Sequence, residues 1–361
     1  MRTTEIIAAG GDIGGAMALL PVLRELDRRK IGFSLVDHGI ISGKSGSGWE
    51  TITEEESFSC FESGKAGVLI FTTSVKDDFP LKLARFARGH GSKVFSLLDN
   101  WMNYRYRMEI DAGGFFQPDM FFVMDEYARQ ESIKDGFDEK TVVVTGQPAI
   151  AGLKDEYAAW LSKGEVIFRD SSKINMVFIS EPVEQDNGKS AADNPNFRGY
   201  TEKTALKALF ESLEGLAGKY SLSIIPHPRE DKLQLESFIN EFSGGSDIRM
   251  GSGISGRNAV FSADIVIGMA SILLYEAWLI GKPVASLQPC LRRPHLRFLN
   301  QEGILFLDVE LPKINNILKK WLQNFKKTGF PSEIRGEAEL HSHSADYIAD
   351  ILSNHLNRRI T

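Results

Sequence analysis

The stretch SADIVIGMASILLYEAWLIGKPVASLQP, Ser262 to Pro289, constrains the fold more than any other part of the chain. Ala263 to Gly268 reads as a buried strand, bounded by polar residues before it and a glycine after it. A tight turn from Gly268 to Ser271 opens a helix over about Ile272 to Ile280. Gly281 stops that helix, Pro283 prevents its return, and Val284 to Leu287 begins the next strand. A strand–turn–helix–strand unit of this kind belongs to a parallel sheet and sets a helix N-terminus beside a ligand. Within the helix one carboxylate, Glu276, stands among Leu273, Leu274, Tyr275, Ala277, Trp278 and Leu279. Burying a lone charge is costly, so Glu276 needs a partner.

The same alternation runs along the rest of the chain. Thr4 to Ala9 is a short apolar strand that enters GGDIGG, Gly10 to Gly15. Ala16, Leu19, Leu20, Leu23 and Leu26 then recur at helical spacing, with Pro21 predicting a helix that starts late or kinks. Further strands are predicted at Phe33–Asp37, Val68–Thr72, Lys93–Leu97, Met120–Met124 and Thr141–Thr145, with a helix at Leu81–Ala87. Residues 1–150 therefore read as one open parallel sheet with helices on both faces. After a helical or irregular connector, Ala149 to Ser172, the pattern restarts at Ile174–Ile179. It continues through a helix at Thr201–Lys219 and strands at Leu222–Ile225, Ala263–Gly268 and Val284–Leu287, defining a second domain over residues 151–330. Glu181 to Gly199 is a polar loop rich in Asn, Gly and Pro, and Leu311–Lys327 and Ala345–Leu356 are helical. Residues 331–361 are expected to form a helical segment that packs back on the first domain. The fold class is α/β, two doubly wound Rossmann-like parallel-sheet domains facing a cleft at the C-terminal ends of their strands.

Composition narrows the class. A chain of 361 residues is long enough for two buried cores, and its formal net charge of -6 gives no basic footprint for nucleic acid. Two cysteines, Cys60 and Cys290, make a disulfide framework unsupported and fit a reducing cytosol. No apolar run reaches spanning length, and the first residues do not resemble a signal peptide. The expected setting is cytoplasmic, and the oligomeric state is left open.

Four places carry candidate chemistry. In the glycine loop, Gly14 and Gly15 stand where backbone approaches a ligand or simply turns tightly. Asp12 occupies the second glycine position of G-x-G-x-x-G, which counts against a nicotinamide dehydrogenase; no cofactor and no metal are expected. GIISGKSGSG, Gly39 to Gly48, contains Lys44 without phosphate-loop spacing and reads as a flexible loop over the cleft. LLDNWMNYRYRM, Leu97 to Met108, starts where a strand ends. Asp99 there is placed to accept a proton from a hydroxyl, with Asn100, Tyr104, Arg105 and Arg107 to hold a substrate or an anion. The plainer alternative is that Asp99 caps a helix and the arginines form surface ion pairs.

In IIPHPRE, Ile224 to Glu230, two prolines hold the chain extended around His227, and Arg229 offers a planar cation suited to phosphate oxygens. Together they suit the charge developing on a departing nucleotide phosphate. At the helix near Gly268, the N–H groups of Met269, Ala270 and Ser271 suit a phosphate, and Glu276 a ribose, or else an ion pair with a neighbouring Lys or Arg. His341 and His343 match no metal-site spacing and are expected on a solvated surface.

Three segments, GGDIGGAMALLPVLREL, PHPRE and GMASILLYEAWLIGKPV, together resemble the GT-B glycosyltransferases across nearly the whole chain. The related non-hydrolysing UDP-N-acetylglucosamine 2-epimerases share that fold and the glycine-rich opening. The His-Pro pair also resembles a motif of bacterial sialyltransferases, Kdo transferases and CDP-glycerol transferases. The resemblance implies an acceptor-binding N-terminal domain, a C-terminal domain binding a UDP- or CMP-linked sugar, and metal-independent transfer to a glycan, lipid-linked or small-molecule hydroxyl. Peripheral membrane contact at the inner face is implied only for a lipid acceptor. His227 would contact the donor phosphate, and Asp99, with Asp12 competing, would be the base. The alternatives are an isomerase epimerising a UDP-amino sugar at C2, with Asp12, Asp99 and Glu126 as carboxylates, and a nucleotide-sugar-binding subunit without turnover.

Overall fold

The structure, a computed structural model, describes residues 5–42, 48–74, 77–110, 113–164, 172–216, 218–242, 247–251, 253–298, 301–326, 331 and 334–357. It divides into two units, Met1–Leu153 with Glu337–Thr361, and Lys154–Gly336.

The first unit opens with β1 (Glu5–Ala9), α1 (Ile13–Arg28), β2 (Phe33–Val36), α2 (Gly39–Ser42), β3 (Glu50–Ile52) and α3 (Glu54–Glu62). It continues with β4 (Ala66–Phe71), α4 (Phe79–Gly89), β5 (Lys93–Leu97), β6 (Met120–Val123), α5 (Glu126–Lys134) and β7 (Val142–Val144). All strand pairs are parallel, in the order β3-β2-β1-β4-β5-β6-β7. The order reverses between β1 and β4, the position at which doubly wound sheets place ligands. Central strands such as β4, AGVLIF, are buried along their whole length, as a sheet covered on both faces requires.

Helix α1 begins at Ile13, not late, and runs through Pro21. Asp12 caps it, its Oδ1 accepting from the Gly15 N–H at 2.7 Å. Its buried face, Leu19, Leu20, Val22, Leu23 and Leu26, outweighs the one backbone hydrogen bond that Pro21 removes. The sequence reading passed over β3: three residues of mixed polarity show no period. Of the Gly39–Gly48 loop, Gly39–Ser42 is helical; residues 43–47, Lys44 among them, lie outside the described residues.

The second unit carries α6 (Leu153–Lys163), which starts on the last residue of the first, then β8 (Ile174–Ile179), α7 (Val183–Asn187), α8 (Glu202–Leu213) and β9 (Tyr220–Ile225). Next come α9 (Lys232–Phe242), β10 (Ile248–Met250), α10 (Gly256–Ser262), β11 (Ile265–Gly268), α11 (Ile272–Leu279), β12 (Val284–Leu287), β13 (Ile304–Leu307) and α12 (Leu311–Asn324). The parallel order is β10-β9-β8-β11-β12-β13, reversing between β8 and β11. The register sets Gly268 beside Ile179 on one side and Ser286 on the other. A Cβ on Gly268 would stand 2.9 Å from the Ile179 carbonyl oxygen, so only glycine allows β11 to end so close to β8. The polar stretch Glu181–Gly199 is not wholly loop: buried Val183 anchors α7 within it.

The chain then returns to the first unit as α13 (Ala338–Ser342) and α14 (Ser344–Asn357). Ile348, Ala349 and Leu352 of α14 enter the core beneath α1. Arg29 reinforces this packing through Asp350 Oδ1 at 2.5 Å and through Asp346. His343 is exposed, but His341 is fully buried, which corrects the expectation of a solvated pair: α13 turns His341 inward against Gln147.

Candidate active site

In the first unit the glycine loop and the end of β5 converge. Gly10, Gly11, Gly14 and Gly15 are small because the protein's own polar groups press on them. A Cβ on Gly10 or Gly15 would collide with Thr72 Oγ1, one on Gly11 with Asp77, and one on Gly14 with Asp99 Oδ2. The position above Gly14 is also 3.8 Å from Asp12 Oδ1, so Asp12 and Asp99 approach the same glycine.

Asp99 caps no helix. It pairs with Arg107, the two side chains being 10 % and 9 % exposed. Arg107 in turn donates to the carbonyls of Thr73 at 3.0 Å and Met102 at 3.2 Å, so the guanidinium is fixed. Burial pushes the Asp99 carboxyl above the usual range; Arg107 opposes this and the neighbouring Asp12 adds to it. Asn100 follows directly, half-buried. Arg105 lies apart from this pair, its guanidinium over the Phe115 ring at 4.3 Å and its backbone N–H toward Asp135. Tyr104 is buried, and Glu126 is exposed on α5, paired with Arg129 at 3.0 Å.

A second cluster borders the loop. His38 stands between Glu54 Oε1, 2.5 Å from Nδ1, and Asp77 Oδ2, 2.8 Å from Nε2. Burial disfavours its charge, but the two carboxylates win and hold its pKa above the ordinary value.

The second unit's candidates are already matched by internal partners. Ser271 caps α11, accepting from Leu273 N–H at 3.3 Å. The Ala270 N–H donates to Glu181 Oε2 at 2.6 Å, and the Ser271 N–H bonds the same carboxylate. Glu181 stands two residues beyond the end of β8, so the switch point between β8 and β11 is occupied by a carboxylate from the protein itself. Burial raises the Glu181 pKa, with Arg198 opposing. Met269 is fully buried, its carbonyl accepting from Ser286 Oγ at 2.5 Å.

Glu276, 2 % exposed, makes a two-point ion pair with Arg257 at 2.7 and 2.8 Å, and Arg257 also reaches Glu156 at 2.8 Å. Burial pushes the Glu276 carboxyl up, and Arg257 pulls it down. The ion-pair alternative is therefore the arrangement present, at the position assigned to a ribose.

In PHPRE, His227 is half-buried, its Nδ1 accepting from the Arg229 N–H at 3.2 Å; burial lowers its pKa. Arg229 holds Asp186 by two bonds, 2.8 and 2.9 Å. Glu230 accepts from Ser180 Oγ at 2.6 Å and from the His227 N–H at 2.5 Å, and burial pushes it up to about 7. Arg229 and Glu230 line a polar cavity of ≈ 540 Å³ with Glu184, Lys189, Glu202 and Lys203.

The sequence reading missed Glu181, Arg257, Glu230 and His38. Glu230 was within reach, as the last residue of IIPHPRE; Glu181 lies in a stretch that reads as polar loop, and Arg257 and His38 gain their partners from distant elements. Among the described residues no group of three His, Cys, Asp or Glu side chains could hold a metal ion, and no helix is long and apolar enough to cross a membrane.

No protein-family model matches the chain, and no curated protein matches it in sequence. Among solved structures it is similar to the UDP-GlcNAc 2-epimerase of Neisseria meningitidis bound to UDP-GlcNAc: 14% identity, TM-score 0.66, 97% of this chain and 100% of that one. It is also similar to the UDP-N-acetylglucosamine 2-epimerase of Rickettsia bellii, at 15% identity and TM-score 0.65 over 99% and 98%. A third is the Methanocaldococcus jannaschii UDP-GlcNAc 2-epimerase in complex with UDP-GlcNAc and UDP, at 13% identity and TM-score 0.64 over 97% and 100%. The expected glycosyltransferase assignment is overturned here: these solved relatives in architecture are epimerases, which are isomerases. Identities this low carry the fold alone. The chain has the GT-B-like fold of the UDP-GlcNAc 2-epimerases, two Rossmann-like domains with parallel sheets.

Proposed function

We propose that this chain is an isomerase acting on a UDP-linked N-acetylamino sugar, inverting the configuration at C2. The observation that carries the proposal is the meeting of Asp12 and Asp99 at Gly14, with Arg107 fixed behind Asp99, in the fold of the epimerases. Removing the C2 proton leaves an electron pair that forms a C1–C2 double bond as the C1–O bond to UDP breaks; UDP then re-adds at C1 while C2 takes a proton from the opposite face, so no atom is gained or lost. Two carboxylates in unlike surroundings supply that chemistry. Asp99, raised by burial, is the base; Asp12, on the glycine loop, is its counterpart. Asn100 and the Gly14–Gly15 backbone contact the sugar.

The second unit supplies the nucleotide site. His227 and Arg229 face the phosphates, the amides of Met269, Ala270 and Ser271 and the close turn at Gly268 receive them, and Glu276 meets the ribose. This requires Glu181 to release the Ala270 amide and Arg257 to share Glu276.

The test is incubation with UDP-GlcNAc in D2O, read by proton NMR. Deuterium entering C2, with the C2 epimer accumulating, is the expected result. Asp99→Asn should slow that exchange by about 10³-fold, the scale of losing a general base, while leaving UDP binding within about twofold. Binding of UDP-GlcNAc with neither exchange nor epimer would leave a binding subunit without turnover.

A further inference from the structure

We propose that Gln147 and His341 act as a positioning relay for Asp99, so that the C-terminal segment of the chain sets the aim of the base. The proposal rests on the reading of Asp99 as that base. Gln147 is completely buried just after β7, and its side-chain amide donates to two successive carbonyls, Leu98 at 3.2 Å and Asp99 at 3.1 Å. Those carbonyls belong to the peptide planes on either side of the Asp99 Cα. Fixing both planes fixes φ and ψ of Asp99, and with them the direction in which its side chain leaves the backbone. One side-chain nitrogen, Nε2, thereby holds a carboxylate it never touches.

Gln147 is itself held at its other groups. Its Oε1 accepts from the Ala149 N–H at 3.2 Å, and its backbone N–H donates to His341 Nδ1 at 3.0 Å. His341 lies on α13, far along the chain and completely buried. Accepting at Nδ1 puts its proton on Nε2. The approach is close: Gly146, at φ +82°, leaves no room for a Cβ, which would meet the Leu340 carbonyl oxygen and stand 3.0 Å from Ser344 Cβ. A helix that merely covered the sheet edge would pack with apolar side chains. Here a neutral imidazole is buried to satisfy one amide, and that amide's side chain satisfies the backbone of Asp99.

The experiment compares Gln147→Met, which keeps volume and removes both donors, with His341→Leu, which removes the acceptor, and His341→Asn, which keeps an acceptor near Nδ1. C2 exchange in UDP-GlcNAc and the ¹³C titration of the Asp99 carboxyl are read in each. Gln147→Met should lower kcat by about 10²-fold with KM within about twofold, the cost of misplacing a reacting group by roughly 1 Å. Its Asp99 titration should move toward the ordinary carboxylate range as the side chain swings to water. His341→Leu should follow in the same direction, and His341→Asn should recover most of the loss. If Gln147→Met fails to fold, the two His341 variants decide alone. Wild-type kcat and an unmoved Asp99 titration in every folded variant overturn the relay. Absence of C2 exchange in the wild-type protein overturns the isomerase reading instead, and the Asp99 titration still decides the positioning.

Discussion

At the ends of β1 and β5 the first unit brings two carboxylates, Asp12 and Asp99, to one glycine, with Asp99 paired to Arg107. At the ends of β8 and β11 the second unit brings the Glu181 carboxylate onto the Ala270 and Ser271 amides and locks Glu276 to Arg257. The first arrangement concentrates like charge against the cost of burial, offset at Asp99 by Arg107. The second is already neutralised. Under the proposed isomerase reading the first arrangement supplies the base, Asp99, whose carboxyl burial has already raised above its ordinary range. Under the same reading a nucleotide would bind the second unit by exchange, each bond to it replacing one made internally, which tempers affinity.

The sharpest way to break this contrast is to remove a cation from the neutralised side. Arg257→Ala leaves Glu276 buried and unpaired, and should cost about 3–5 kcal/mol in urea unfolding of the protein. A loss below about 1 kcal/mol would mean that Glu276 is solvated and that the second unit is not self-neutralised. The first unit offers a pH counterpart. His341 is held neutral by burial, its pKa pushed down to about 4 from 6.5. The unfolded chain takes up that proton near pH 6.5 and the folded one only near pH 4. Stability from this group is therefore complete above pH 6.5 and declines as pH falls through that window, by about 3 kcal/mol in full. Unfolding curves at pH 7, 5.5 and 4 check it, and His341→Asn should remove this component. The smallest effect sharpens the exchange idea: Glu181→Ala should tighten UDP binding by about tenfold in calorimetry, or about 1.4 kcal/mol. Unchanged or weaker binding would show that the carboxylate does not compete with phosphate.

What the sequence made legible follows the physics of local order. The alternating strands and helices, the Asp12 turn and the whole Ser262–Pro289 unit announce themselves by apolar runs and by breakers at their ends. The two doubly wound sheets follow from that pattern. Partners did not announce themselves, because pairing is decided by topology. Arg257 meets Glu276 only because α10 and α11 pack together, and Glu181 meets Ala270 only because β8 and β11 are neighbours in the sheet. In sequence Glu181 opens a polar stretch and looks like loop. His341 looked solvated for the same reason: its environment is supplied by Gln147, in a turn almost two hundred residues earlier. The transferase expectation failed differently. A shared fold and a His-Pro pair speak for nucleotide sugars in general and cannot separate transfer from isomerisation.

The return of α13 and α14 to the first unit also bears on synthesis of the chain. Lys154–Gly336 is continuous and gains its core as it emerges, whereas the first unit lacks Ile348, Ala349 and Leu352 until the last helix leaves the ribosome. At about 5–20 residues per second, roughly 10–40 s separate the emergence of Leu153 from that of α14. During that interval the part of α1 that packs on α14 is uncovered and Gln147 has no His341 to bond. Asp99 is thus made well before the segment that completes its setting.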